Sequence, residues 1–352
     1  VASTWLWSRF RQVEGAAAYY EIFNDQLAAI TRRRVKRMTP AAWYSKHPAT
    51  APYFLEFLPF IGKARGVSGF DPAMAFDRFV PPAGPTGDIG EDERAYIGSL
   101  IVHAENRGKL PVLTSTRSLG RLAGIRRAFP GFHIVLYRNL FQQWCSYAEQ
   151  FEHGNPHFLN TVKRTIEGGQ HDPFLRAVHN RWPFDQSDPT DQRQLVAFAA
   201  VHAYLYGHAV NDADLLIDVN RLAEDSAYRA GMEDRIRMAS GLTVSLAGAQ
   251  NVVAGCVPEP RLTVELGESL RSMLNDALSE MSRNDGRTFA NKAIDDLLSE
   301  QARHAHLGTS GAKALRTGRR GIRRSADWRL SGPIRMGRRW WHSASRRDKA
   351  GF

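Results

Sequence analysis

Between the turn Pro130-Gly131 and Arg138 stands an almost unbroken apolar run, Phe132-His133-Ile134-Val135-Leu136-Tyr137. A strand with one wet face alternates apolar and polar residues, whereas a run without alternation has both faces covered. That points to a parallel sheet with helices packed on either side.

The neighbouring segments fit this frame. Residues 3–12 suit a helix with Ser3 or Thr4 near its cap. Residues 18–23, 110–114 and 215–219 read as further strands. Asn24 is placed to cap a helix through Leu27, Ile30 and Val35. Residues 118–128 form a basic amphipathic pattern, and 141–151 the next helix. Residues 191–209 read as a long buried helix. A helix from Ser226 stops at Gly241, and later helices cover 265–282 and 287–305. Two stretches break the rhythm. Residues 40–95 mix Pro, Gly and aromatics and read as short helices and loops over a site. Residues 152–190, polar and rich in His, Pro and Asp, read as an irregular insertion. Strands alternating with helices make the class α/β, three layers with a largely parallel sheet.

Composition adds bounds rather than detail. With 352 residues, 43% hydrophobic and 24% charged, the chain can bury a sizeable core. Cys145 and Cys256 form neither a zinc spacing nor a disulfide framework, which suits a reducing, cytoplasmic setting. The longest apolar stretch, Leu195 to Val210, falls short of the roughly 20 residues a membrane-spanning helix needs. The net charge of +11 is uneven: thirteen Lys and Arg against two Asp lie between Gly311 and Phe352, so the rest is neutral. The reading divides the chain into an α/β domain, 1–305, and a basic tail, 306–352.

In open parallel sheets ligands bind beyond the carboxyl ends of the strands, so the residues just after each strand carry most weight. These are Glu21, Thr114 to Arg117, Arg138, and Asn220-Arg221. Arg138 ends the most apolar strand, and Ser146 follows eight residues later on a helix. A guanidinium fork and a hydroxyl so placed can hold one phosphate.

Leu136-Tyr137-Arg138-Asn139-Leu140-Phe141-Gln142-Gln143-Trp144-Cys145-Ser146-Tyr147 resembles the 3′-phosphate-binding segment of sulfotransferases that use 3′-phosphoadenosine 5′-phosphosulfate (PAPS). Leu140 stands where that family commonly has Pro. Ser3-Thr4-Trp5-Leu6 is similar to the end of the family's 5′-phosphosulfate loop, with Ala2 in place of Gly. Such a loop cradles phosphate on backbone N–H groups at a helix start. The strand delivering the loop and its basic residue are expected upstream of Val1. Residues 108–122 and 216–225 resemble further family segments, so the likeness spans about 1–245.

The resemblance implies a P-loop NTPase-like sulfotransferase fold, PAPS as co-substrate and no metal. It makes Ser3, Thr4, Trp5, Arg138 and Ser146 the donor-binding residues. Ser3 and Thr4 would face the 5′-phosphate, and Trp5 the adenine. Glu21, at the end of the strand after the loop helix, is the candidate general base. A free Glu titrates near ~4.3, so the role asks for burial. The acceptor is a hydroxyl-bearing small molecule, with a sugar or glycolipid favoured.

Plainer readings stand beside these. Arg138 can be a strand-end ion-pair partner, Glu21 a solvated carboxylate, and Trp5 and Trp144 core residues. Lys109, Arg117 and Arg121 can substitute for the missing basic residue or form a mere basic helix face. His153, His157, His171 and His179 are too irregularly spaced for a metal set. The rival functions are a P-loop kinase-like phosphotransferase, which lacks its Gly-Lys loop here, and a degenerate, non-catalytic relative. In 311–352, Arg pairs recur with Trp328, Trp340 and Trp341 between them. A solvated tail is the default reading. A peripheral anionic membrane surface ranks second and nucleic acid third.

Overall fold

In a computed structural model, the structure describes residues 3–38, 52–63, 65–185, 188–250, 261–279 and 284–318. The chain separates into two compact units, Val1–His306 and Leu307–Phe352. The tail's Arg pairs, Cys256 and part of the 40–95 region lie outside the described residues.

The first unit is mixed α/β and mostly helical, with two small parallel sheets. Helix α1 (Ser3–Arg11) leads into β1 (Ala16–Tyr19), which pairs in parallel with β2 (Leu110–Leu113) from Ala16↔Leu110 to Tyr19↔Leu113. β3 (Ile134–Tyr137) pairs in parallel with β4 (Leu215–Asp218) from Ile134↔Leu215 to Tyr137↔Asp218. The expected single sheet is therefore two pairs.

The apolar run at β3 is explained by its surroundings. Val135 and Tyr137, with Leu216 across the ladder, face one hydrophobic core. Ile134, Leu136, Leu215 and Ile217 face the other. Successive side chains alternate across a strand, so both alternating sets must be apolar when each face is covered.

The helices around the sheets start on local caps. Asn24 accepts from the Gln26 N–H and opens a 3₁₀ turn, Asp25–Ala28; Thr31 then caps α2 (Arg32–Arg37). The single helix expected through Val35 is thus two pieces. Within 40–95, 3₁₀ turns at Leu55–Phe60 and Pro72–Ala75 match the expected short elements. α3 (Glu91–Glu105) was not anticipated, although Glu91, Asp92 and Glu93 in its first turn favour a helix N-terminus. A 3₁₀ turn, Leu119–Arg121, runs into α4 (Leu122–Ala128). There Gly124 is required by contact: a Cβ would lie 2.7 Å from the Gly87 carbonyl oxygen.

α5 (Leu140–Glu152) follows β3, capped by Asn139. The supposed irregular insertion at 152–190 contains two helices, α6 (His157–Gly168) and α7 (Pro173–Arg181). Asp172 before Pro173 is a cap followed by a first-turn proline, a start signal that the polar composition obscured. α8 (Gln192–Asp212) is the long buried helix. After β4 come α9 (Val219–Glu224) and α10 (Ser226–Ser240), the latter closed by Gly241 at φ 72°. α11 (Val264–Ala277) and α12 (Asp285–Gly318) complete the described helices, so residues 306–318, assigned to the tail, are helical. Among the described residues no helix is long and apolar enough to cross a membrane.

Candidate functional site

The carboxyl end of β1 is set by Glu21, two residues beyond the strand that was expected to reach it. Its backbone is left-handed, at φ 47°, a conformation uncommon outside glycine that must be held by its surroundings. Here the neighbouring strand's continuation holds it. The Glu21 N–H donates to Thr114 Oγ1 at 3.3 Å, and the Ile22 N–H to the Thr114 carbonyl at 2.9 Å. This turn drives the side chain inward, to 4% exposure. The carboxylate accepts from the Thr116 N–H at 3.0 Å, from Thr116 Oγ1 at 2.8 Å and from Ser3 Oγ at 3.4 Å.

The start of α1 thus meets the end of β1. Thr4 Oγ1 lies 3.0 Å from the Tyr20 hydroxyl, whose pKa is driven far upward by burial and by nearby Glu21. Trp5 is half-buried, with its indole N–H unpartnered and the Arg9 guanidinium 5.5 Å from the ring centroid.

Around Glu21 the arginines do different work. Arg117 is buried and donates to the Phe23 carbonyl at 2.8 Å and to Asp25 at 3.1 Å. Arg121 is wholly buried, ion-paired with Glu93, bonded to the Met74 carbonyl at 2.7 Å and set over the Phe23 ring. Burial lowers its pKa to about 10, against the opposing pull of Glu93, so it stays charged at neutral pH. Arg117 and Arg121 are therefore packed inside, and the reading of them as a solvated basic face is corrected. Only Leu110 of the adjoining strand is appreciably exposed, and neither arginine is surface-borne.

At the end of β3 the Arg138 Nη1 donates to Ser146 Oγ at 3.0 Å, spanning from the strand to the second turn of α5. Arg138 is half-buried, and burial lowers its pKa. On the same helix the Tyr147 hydroxyl accepts from Gln143 Nε2 at 3.1 Å. Burial raises its pKa, keeping it a neutral donor. His157, the first residue of α6, is held toward the neutral form by burial and by Arg117, with Asp25, Glu21 and Arg164 also in electrostatic reach. Ser3 and Thr4 thus meet the residues just after β1, and Arg138 and Ser146 meet each other at the end of β3.

Beside this lies a closed polar network at the ends of β3 and β4. Asn139 Nδ2 donates to the Asp296 carbonyl at 2.8 Å, and its N–H to Asn220 Oδ1 at 3.1 Å. Gln142 receives a bond from Asn220 and donates to Glu300 at 2.8 Å. These side chains line a small cleft of about 120 Å³.

Thr116, Tyr147 and His157 were assigned no role from sequence. Thr116 lies in the post-strand segment 114–117, a usable signal, and Tyr147 directly follows Ser146. His157 had none, since its helix was not expected. Trp144 is core, as the plain reading had it: fully buried against Phe198. No group of three His, Cys, Asp or Glu among the described residues is disposed to hold a metal ion.

No protein-family model matches the sequence, and no curated protein and no solved structure matches it either.

Proposed function

We propose that the chain is a sulfotransferase that moves a sulfuryl group from PAPS to an acceptor hydroxyl, favouring a carbohydrate or glycolipid. The observation that carries this reading is the Arg138–Ser146 contact at the end of β3. A guanidinium and a hydroxyl on adjoining elements match the demands of a 3′-phosphate. Ser3 and Thr4, beside Glu21 and Tyr20, would face the 5′-phosphate, and Trp5 would offer its ring to the adenine. The proposed fold gathers both parallel pairs into one P-loop-like sheet with helices on both faces.

The acceptor oxygen forms a bond to sulfur as the bond from sulfur to the 5′-phosphate oxygen breaks. The acceptor proton passes to Glu21, and the leaving phosphate keeps the electron pair. The protein's part is to align the two oxygens and to offset the charge growing on the leaving group.

Calorimetry with 3′,5′-adenosine bisphosphate, the desulfated donor, tests the reading. Micromolar binding should weaken by about 10–100-fold in Arg138→Ala, the range for losing hydrogen bonds to a charged group. No binding by the folded chain, or equal binding by the variant, would sink it.

A further inference from the structure

α6 carries His157, Thr161 and Arg164 at intervals of four and three residues, which places them on one face, and all three are half-exposed. Arg164 differs from the other guanidiniums near Glu21. Arg117 is engaged by Asp25 and a carbonyl, and Arg121 by Glu93. Among the described residues, Arg164 makes no hydrogen bond and no ion pair. Its guanidinium carbon lies 3.8 Å from the centroid of the Phe76 ring.

The same ring receives Arg117, at 4.5 Å. Two cations therefore share one buried phenylalanine, and Asp25, the carboxylate beside them, is engaged by Arg117. Within the same cluster Arg117 Nε is buried and donates to nothing. Like charges this close repel, and a buried donor without an acceptor is destabilising. A cation on an aromatic face is worth only about 0.5–2 kcal/mol, so the ring explains where Arg164 rests but leaves its hydrogen-bonding fork unused. An oxyanion at that fork would answer the surplus charge. Arg117, which shares the Phe76 ring with Arg164, directly follows Thr116, whose N–H and hydroxyl hold the Glu21 carboxylate, so Arg164 belongs to the surroundings of the base candidate.

We infer that Arg164, backed by Arg117, receives an oxyanion of the acceptor, making the favoured acceptor an acidic sugar rather than a neutral one. The word acceptor rests on the proposed sulfotransferase activity, whereas the anion site itself does not.

The test uses the full chain, titrated by calorimetry with glucuronate, with glucose 6-sulfate, and with glucose as the neutral control. Each titration is run with and without 3′,5′-adenosine bisphosphate. At least one acidic sugar should bind tenfold or more tightly than glucose, and which one does separates carboxylate from sulfate recognition. Arg164→Gln should erase that preference and leave bisphosphate affinity unchanged, while Arg164→Lys restores part of it. The half-exposed position makes folding of these variants checkable by an unaltered thermal transition. Acidic sugars binding no better than glucose, or a preference that survives in Arg164→Gln, overturns the proposal. A preference that depends on Arg164 in a chain blind to bisphosphate keeps the anion site and removes the sulfotransferase reading.

Discussion

The two strand pairs end in contrasting chemistry. β3 and β4 lie between two hydrophobic cores, one on each face, and their carboxyl ends run into an amide network fastened to α12 through Asp296 and Glu300. Almost every polar group there is answered by another, leaving the Arg138–Ser146 contact as its outlet toward α5. β1 and β2 serve one core. Their ends gather the Glu21 carboxylate, the Ser3 hydroxyl of α1, Thr116 and Arg117 of the turn after β2, Asp25 of the 3₁₀ turn and Arg164 of α6. A closed network fixes geometry, whereas an assembly of charges with a strained backbone and an unused guanidinium is suited to meeting a ligand. On the proposed reading this is a division of labour: the second pair would hold the donor's 3′-phosphate through Arg138 and Ser146, and the first would bring the base candidate Glu21 beside the Ser3 and Thr4 hydroxyls.

Glu21→Gln is the sharpest way to break that division. It should lower turnover by about 10²–10⁴-fold, the usual weight of a general base, while bisphosphate binding at the Arg138 end stays intact. Comparing single-turnover rates with calorimetry checks it, and equal losses in both would dissolve the distinction.

Next in size is the support beneath the first pair. Glu93→Ala leaves Arg121 charged and fully buried without its partner, which costs about 3–5 kcal/mol of stability. Urea unfolding should show this, and the double replacement Glu93→Leu with Arg121→Met should recover most of it. A single variant as stable as the parent would mean that the buried pair carries no weight in the fold.

A further effect concerns acid and the second pair's backing helix. α8 bonds to β3 through Tyr206, whose hydroxyl donates to the Leu136 carbonyl at 3.0 Å. His202 and His208 on α8 have pKa values lowered by burial to about 4. In an unfolded chain they titrate near ~6.5. Between those values the unfolded state binds more protons than the folded one, so stability is full above about 6.5 and falls as pH drops toward about 4. Chemical denaturation across that window should show the loss, and His202→Gln with His208→Phe should flatten it. An unchanged slope would place the acid sensitivity elsewhere.

Legibility in the sequence followed the distance over which each feature is made. Arg138 and Ser146 were visible because a strand and the helix after it bring residues eight apart together with no other input. The placing of Glu21 beside Thr116 was not, since those residues are ninety-five apart and meet only through the β1–β2 register. α7 was missed because polar composition outweighed its Asp172 cap, and α6 because it starts at Pro156 with no side-chain cap, so Arg164 was missed with it.

What the sequence determined by itself was the α/β character, the parallel β3 environment, most helix starts and the Arg138–Ser146 pair. Periodicity, capping and short-range geometry act within a few residues and leave their mark on local composition. Tertiary structure alone decided that the strands form two pairs, that Arg117 and Arg121 are buried, and that Arg164 and Arg117 share Phe76. Those outcomes depend on which distant surfaces exclude water from one another, and hydrophobic burial is non-directional, so no local pattern encodes them.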